Sequence, residues 1–160
     1  MRRNDIWIIF SIASLVLILD RLTKYIAYVS LSQGQSVKIF PNIFHITLVL
    51  NKGAAFGLLQ EQRLFFIILS FVIICFILFY IWANDRRMGI TLPLAFALIL
   101  AGATGNLIDR LKLGYVIDFL DFRVWPVFNI ADSALTIGTI ILAFKVLFKK
   151  AHGSKPTAQS

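Results

Sequence analysis

The sequence predicts an all-α polytopic membrane protein with four transmembrane helices and a small β element with a loop on the outer face. Composition is the first observation: 59% of the 160 residues are hydrophobic, the mean hydropathy is +0.83, and only 15% are charged. Soluble domains carry about 25% charged residues, so this is a membrane composition. The second observation is a set of four apolar segments close to the ~20 residues needed to cross a ~30 Å hydrocarbon core.

The predicted spans are Ile6–Tyr28, Leu64–Asn84, Met88–Ile108 and about Val124–Phe144. A Met-Arg-Arg start before an apolar run is also found in signal peptides, but no small-x-small cleavage site follows, so we expect a retained first helix. We expect residues 1–150 to form a single domain and residues 151–160 to form a polar, disordered cytoplasmic tail.

Basic residues predict the orientation of the spans. They are Arg2 and Arg3 before the first span, Arg86 and Arg87 between the second and third, and Lys145, Lys149 and Lys150 after the fourth. Placing these groups in the cytoplasm puts both termini inside and the loops 30–63 and 110–123 outside. The net charge of +8 is therefore a topology signal, and we expect no nucleic-acid partner.

The outer loop 30–63 contains a predicted β element. Val37–Phe40 and Phe44–Leu48 read as short extended segments around a Pro41-Asn42 turn. The other outer loop, 110–123, carries Asp118 in an apolar setting. We expect the β element to lie on the outer surface.

Carboxylates converge on the outer boundary in this topology. Asp20 lies at the outer end of the first span, Asp109 at the outer end of the third, and Asp132 in the outer turns of the fourth. An acid at membrane depth costs roughly 2.5–3.5 kcal/mol or more, so it is seldom present without a partner or a function. Several acids at one level therefore suggest an active site.

Two of these acids also have structural interpretations. Asp20 and Lys24 are spaced i, i+4, which suits an internal ion pair with Lys24 snorkelling outward as well as it suits catalysis. Asn106, Asp109 and Arg110 end the third span with similar spacing. Because an adjacent Arg favours an ionised acid, we expect Arg110 with Asp109 to hold the outer end of this span.

Small residues follow the outer loop. Asn51-Lys52-Gly53-Ala54-Ala55-Phe56-Gly57 contains a GxxxG pattern, which most often means close helix packing. The same small residues would let a substrate backbone approach, with the Asn51 amide binding it. For Gly102-Ala103-Thr104-Gly105 we favour packing.

Asp118 and Asp132 are the favoured pair for chemistry. Neither has an adjacent Lys or Arg, and Asp132 follows Asn129 by three positions on one helical face. Two close carboxylates tend to share one proton, so one can act as general base on water and the other as general acid on a carbonyl. A loop acid and a helix N-terminal acid favoured by the dipole are the structural alternative. The convergence of acids and amides favours catalysis.

Other functional classes fit less well. No G-x-S-x-G elbow and no H-E-x-x-H occur. Cys75 is the only cysteine, and His45 and His152 are the only histidines, so we expect no disulfide, no metal and no cofactor. A small transporter using intramembrane acids as proton relays is the runner-up, although no inverted repeat is visible. A structural protein whose acids bind helices together is third.

Five ordered motifs on these spans resemble the lipoprotein signal peptidases (signal peptidase II), a family of bacterial intramembrane aspartic proteases. They are Asp20-x-x-Thr23-Lys24, Asn51-x-Gly53-Ala54-Ala55-Phe56-Gly57, Gly105-Asn106-x-x-Asp109-Arg110, Val116-x-Asp118-Phe119 and Phe128-Asn129-x-Ala131-Asp132-Ser133. The resemblance implies a catalytic dyad of Asp118 and Asp132. It implies supporting or substrate-binding roles for Asp20, Lys24, Asn51, Gly53, Asn106, Asp109, Arg110 and Asn129.

The resemblance also implies a substrate and a location. The substrate is a prolipoprotein whose cysteine carries diacylglycerol, and cleavage just before that cysteine releases the signal peptide. We expect the substrate to enter sideways between helices and the loop before Asp118 to close over it. The implied location is the bacterial cytoplasmic (inner) membrane, with the site near the outer face. As partners we expect this substrate and membrane lipids, with the chain acting as a monomer.

Overall fold

A computed structural model describes residues 3–53, 62–84 and 88–151 of the chain, with side-chain detail for 5–53, 62–84 and 88–148. The elements are α1 (Arg3–Ser30), β1 (Ser36–Phe40), β2 (Phe44–Asn51), α2 (Arg63–Ala83), α3 (Thr91–Lys112), β3 (Val116–Asp121) and α4 (Ile130–Ala151). Several residues used in the predictions lie outside these ranges: Arg2, the Ala54–Gly57 part of the small-residue motif, the basic turn at Arg86 and Arg87, and the tail from His152. The side chains of Lys149 and Lys150 also lie outside the range described in detail.

All four helices are long and apolar enough to cross a membrane, which confirms the four predicted spans. The shortest, α2, has 21 residues, which at 1.5 Å per residue is about 32 Å. The predicted start of the fourth span near Val124 was wrong, because α4 begins at Ile130. Before it, Phe128 pairs with Leu120 of β3 instead of entering the helix.

Helix α3 lies at the centre of the bundle and packs against the other three helices. Its closest neighbour is α4, and glycines make that approach possible. A Cβ on Gly102 would collide with the backbone carbonyl of Ala131, and one on Gly138 would lie 2.8 Å from Ile99 Cγ1. The packing interpretation of the Gly102–Gly105 segment is therefore correct.

The three strands form one antiparallel sheet in the order β1-β2-β3 at one end of the bundle, hereafter the sheet end. The predicted hairpin is confirmed, and Asn42 adopts φ 61° in its turn, a left-handed conformation that Asn tolerates. The third strand was not predicted. Asp118 therefore lies on a strand, paired with Val49 of β2, rather than in a loop.

The connection from α3 to β3 is short and ordered. Gly114 ends the helix with φ 87°, the left-handed conformation typical of a helix C-terminus. Val116 and Ile117 then pair with Asn51 and Leu50 of β2. The segment before Asp118 is thus held in the sheet, and its closing over a substrate stays a prediction.

Candidate active site

Asp118 and Asp132 line one cavity of about 250 Å³ at the sheet end. Asp118 projects from β3 and is 1% exposed, and Asp132 projects from the first turn of α4. Three further predicted site residues, Asn51, Gly53 and Arg110, line the same cavity. Tertiary structure therefore joins residues from α3, α4 and the sheet that lie up to about eighty positions apart along the chain.

Local hydrogen bonds fix the orientation of Asp132. The Asp132 backbone N–H donates to Asn129 Oδ1 at 2.8 Å, and the Asn129 backbone N–H donates to Asp132 Oδ2 at 3.3 Å. This reciprocal pattern is a capping box with Asn at the cap and Asp three residues on. Asp132 therefore also has the structural role of a helix N-terminal acid. The same hydrogen bonds orient its carboxylate toward the cavity.

Two amides hold Asp118. Asn51 Nδ2 donates to Asp118 Oδ2 at 2.9 Å, and Asn129 Nδ2 donates to Asp118 Oδ1 at 2.6 Å. Burial, followed by the negative charge of Asp132, raises the pKa of Asp118 to about 7, although both amide bonds favour its ionised form. Asn129 therefore contacts both acids, and a proton bound by Asp118 near neutral pH is consistent with a shared proton.

Asn106 connects Asp132 to a buried lysine. Its Nδ2 donates to Asp132 Oδ1 at 2.7 Å, and its Oδ1 accepts from Lys24 Nζ at 3.0 Å. Lys24 Nζ also lies 3.1 Å from Asp20 Oδ2 and 2.9 Å from Asp109 Oδ2. Lys24 is 1% exposed, so the predicted internal pair with Asp20 is correct but the expected outward snorkelling of Lys24 was wrong.

A second cation completes this ion cluster and was missed from the sequence. Arg21 Nη1 donates to Asp109 Oδ1 at 2.6 Å, and Arg21 Nη2 donates to Asp20 Oδ2 at 2.9 Å. Asp20 Oδ1 also accepts the backbone N–H of Ala131 at 3.0 Å, which ties α1 to the start of α4. The sequence contained a signal for Arg21. A charged residue at membrane depth is seldom present without a partner or a function, and this holds for Arg21 as it does for Asp20.

Arg110 has a different role from the one expected. Within the described ranges no ion pair joins it to Asp109, whose oxygens are occupied by Arg21 and Lys24. Its guanidinium carbon instead lies 4.7 Å from the centre of the Phe66 ring, and its side chain lines the cavity of the two acids. The two acids lack a cationic neighbour in sequence, but the fold supplies one.

An apolar groove adjoins the cavity. It has a volume of about 570 Å³ and is lined mainly by Phe122, Val124, Trp125 and Ile137. Asp132 and Thr136 line both the groove and the cavity, so the two are continuous. The groove was not predicted, because Val124 and Trp125 were assigned to the start of the fourth span and Phe122 to the outer loop before it.

Comparison with known proteins agrees with this arrangement. Residues 12–148 match the family model described as Signal peptidase (SPase) II. The chain belongs to this family. The prediction from the five motifs is therefore confirmed, and with it the enzyme class, since the signal peptidase II family consists of aspartic endopeptidases.

Relatives in the signal peptidase II family cover most of the chain. The lipoprotein signal peptidase of Halothermothrix orenii is 42% identical over 134 residues, which is 84% of this chain and 91% of that protein. The one from Clostridioides difficile is 46% identical over 132 residues, covering 81% and 88%. A solved bacterial membrane enzyme, determined by the in meso method at 2.3 Å resolution, superposes with a TM-score of 0.85 at 34% identity and covers 94% of each chain.

Proposed function

We propose that this signal peptidase II removes the signal peptide from diacylglyceryl-modified prolipoproteins by cleaving the peptide bond just before the lipidated cysteine. The observation that carries the proposal is a pair of carboxylates in one cavity at the sheet end, the buried Asp118 and the half-buried Asp132. The relatives named lipoprotein signal peptidase support the substrate class. No cofactor is required by this chemistry.

The two aspartates act as a dyad that holds one proton. The ionised carboxylate takes a proton from water while the water oxygen attacks the scissile carbonyl carbon, and the protonated carboxyl donates its proton to the carbonyl oxygen. The tetrahedral intermediate then collapses: the carbon–nitrogen bond breaks, one carboxyl of the dyad gives its proton to the amine, and a hydroxyl of the intermediate returns a proton to the other carboxylate. The dyad thus regains its single proton. The products are the carboxylic acid of the signal peptide, which ionises in water, and the free amine of the lipidated cysteine.

Residues around the dyad position it and stabilise charge. Asn129, which contacts both acids, and Asn106, which links Asp132 to the ion cluster, hold the carboxylates at fixed positions. Arg110 supplies positive charge to the cavity, where it stabilises the oxygen that becomes negative in the transition state. Gly53, which has no side chain, leaves room at the cavity wall for a substrate backbone.

The ion cluster of Asp20, Arg21, Lys24 and Asp109, buried except for Arg21, supports the elements that carry the dyad. Its charges balance, two cations against two anions, and each carboxylate contacts both cations. Removing one member would leave an uncompensated buried charge, at a cost of roughly 3–5 kcal/mol. The cluster therefore anchors Asn106 and the first turn of α4 without touching the substrate.

The apolar groove suits a substrate anchored in lipid. It opens beside α4 and joins the cavity at Asp132, so an apolar chain lying in the groove would bring its polar end to the dyad. We infer sideways entry from the membrane into this groove. The positive-inside rule puts both termini in the cytoplasm and the sheet end at the outer face of the bacterial inner membrane.

The test compares two forms of one substrate. A prolipoprotein with diacylglycerol on its cysteine and the same protein without lipid are incubated with purified enzyme in detergent. We expect cleavage of the lipidated form alone, and mass spectrometry should find a product beginning at the lipidated cysteine. Equal cleavage of both forms, or a product with another first residue, would contradict the proposed specificity. If the folded protein cleaves neither form of the substrate, the result would favour the alternative function, a small transporter that uses intramembrane acids as proton relays.

A further inference from the structure

A second cavity, with a mostly apolar wall, lies between α1 and α3 at the sheet end, apart from the dyad. Its volume is about 390 Å³, and the polar residues in its wall are Arg21, Lys24, Tyr25, Tyr28, Asp109 and Lys112. Within the described ranges it shares no lining residue with the cavity of Asp118. The proteolytic reaction proposed above does not use it.

Arg21 brings unused hydrogen-bond donors to this cavity. A guanidinium has five N–H groups, and in the described part of the chain Arg21 donates one bond each to Asp20 and Asp109. Its Nε is buried and finds no acceptor among those residues. The side chain is nevertheless 32% exposed, so part of the guanidinium faces the cavity. The N–H groups of Arg21 that do not bind Asp20 or Asp109 leave room for an acceptor bound in the cavity.

The other polar groups converge at the same level. Tyr25 and Tyr28 follow Arg21 at i+4 and i+7, so the three form one stripe on the last turns of α1. Lys112 is the last residue of α3, is exposed, and makes no ion pair with any described residue. Tyrosines and long cations at the ends of transmembrane helices occupy the layer of lipid head groups.

Apolar side chains continue the stripe toward the membrane centre. Ile18 and Leu22 are both more than half exposed. Ile18 precedes Arg21 by three residues and Leu22 precedes Tyr25 by three, so each lies farther from the sheet end than its polar neighbour. A ligand with a phosphate at the cavity and hydrocarbon chains along α1 would match both surfaces. A free anion would contact only the polar groups of the cavity and not the apolar side chains along α1.

We propose that this cavity binds the phosphate of an anionic membrane phospholipid, with Arg21 and Lys112 as the cationic contacts and the two tyrosine hydroxyls as further donors. Guanidinium and ammonium groups are the side-chain groups that pair with phosphate. Because Arg21 also contacts Asp20 and Asp109, bound lipid stabilises the ion cluster behind the dyad. The lipid is thus a structural ligand, distinct from the substrate.

The test measures thermal unfolding of the purified protein in dodecyl maltoside with added dioleoyl phosphatidylglycerol, without any substrate. Lipid that binds the folded state raises the midpoint as its concentration increases. We expect Lys112→Gln to raise the half-saturating lipid concentration about fivefold, the effect of removing one cation near an anionic head group. Lys112→Arg should restore binding. Lys38→Gln, which removes an exposed cation from β1 outside the cavity, is the matched control and should bind as the wild type does.

Three results would overturn the proposal. One is an equal midpoint shift with zwitterionic dioleoyl phosphatidylcholine. Another is an equal response of Lys112→Gln and Lys38→Gln. The third is a shift dependent on Lys112 with inorganic phosphate alone, which would assign the cavity to a free anion. If Lys112→Gln does not fold, Tyr25→Phe, which removes only an exposed hydroxyl, is judged by the same three results.

Discussion

Asp132 has two roles that use the same geometry. Its carboxylate closes the capping box of α4 through the Asn129 backbone, and it lines the cavity that contains Asp118. A side chain that caps a helix is held in one rotamer by the backbone, so the second role requires no further ordering. Asn129, the N-cap residue of α4, also donates a hydrogen bond from its side-chain amide to Asp118. One helix start therefore fixes both carboxylates.

The raised pKa of Asp118 predicts how cleavage depends on pH. Burial and the charge of Asp132 raise this pKa to about 7, so above neutral pH Asp118 loses the proton that the dyad needs. We expect kcat/KM to decline above pH 7, approaching about tenfold per pH unit on the alkaline side. Steady-state cleavage measured between pH 5 and 9 tests this, with circular dichroism as the control for folding. A rate that stays constant from pH 6 to 9 would contradict it.

The sequence predicted most of the polar residues near the dyad but not their partners. Asp118, Asp132, Asn51, Asn129 and Arg110 were expected at the site, and the structure brings them together there. The hydrogen-bond and ion-pair partners of these residues lie on elements that are distant in sequence. Residue spacing along one helix does not reveal such contacts. For this reason Asp109 was assigned to its neighbour Arg110, whereas its oxygens contact cations on α1.

The contact between α3 and α4 determines where the first turn of α4 lies. Gly102 and Gly105 of α3 face this turn, and a Cβ on Gly105 would lie 2.7 Å from Asp20 Oδ2 and 3.1 Å from Ala131 Cβ. Glycine at these positions lets the helix backbones and the Asp20 carboxylate approach closely. Small residues on α3 are thus a condition for the ion cluster.

Replacing Gly102 by Ala should separate the two helices. The added methyl would collide with the Ala131 carbonyl and lie 2.9 Å from the Leu135 backbone nitrogen, so neither neighbour is a flexible side chain that can move away. We expect Gly102→Ala to lower the free energy of unfolding by about 1–3 kcal/mol, as overpacking does. Thermal unfolding in detergent measures this. Thr104→Ala on the same helix is the control, and equal stability of the two variants would exclude the packing role.

Strand β3 shows which elements the sequence could not predict. Its residues are buried on both faces, apart from one half-buried position, because it lies between β2 and the helices. A buried strand lacks the alternation of apolar and polar residues that is typical of half-buried strands. No turn like Pro41-Asn42, which indicated the β1–β2 hairpin, marks this strand. The long apolar helices were predicted correctly, because their signal is composition over about 20 residues.

For the whole molecule, the proposed orientation predicts which end is accessible from outside the cell. In a Cys75→Ala background, Lys38→Cys at the sheet end should react with a membrane-impermeant maleimide in intact spheroplasts. Ile90→Cys, exposed in the turn before α3 at the opposite end, should react only after permeabilisation. The positive-inside rule gives this direction. Reversed labelling would put the dyad at the cytoplasmic face.

Three Asp→Asn variants test whether Asp118 and Asp132 together cleave the substrate. Asp118→Asn and Asp132→Asn should each lower the cleavage rate of the lipidated prolipoprotein by at least about 10³-fold while the protein stays folded. Asp121→Asn is the matched control, since Asp121 is three residues from Asp118 on the same strand but binds Thr47 and Arg123 instead. It should retain most activity. Near-normal cleavage by a folded Asp118→Asn or Asp132→Asn variant would contradict the dyad.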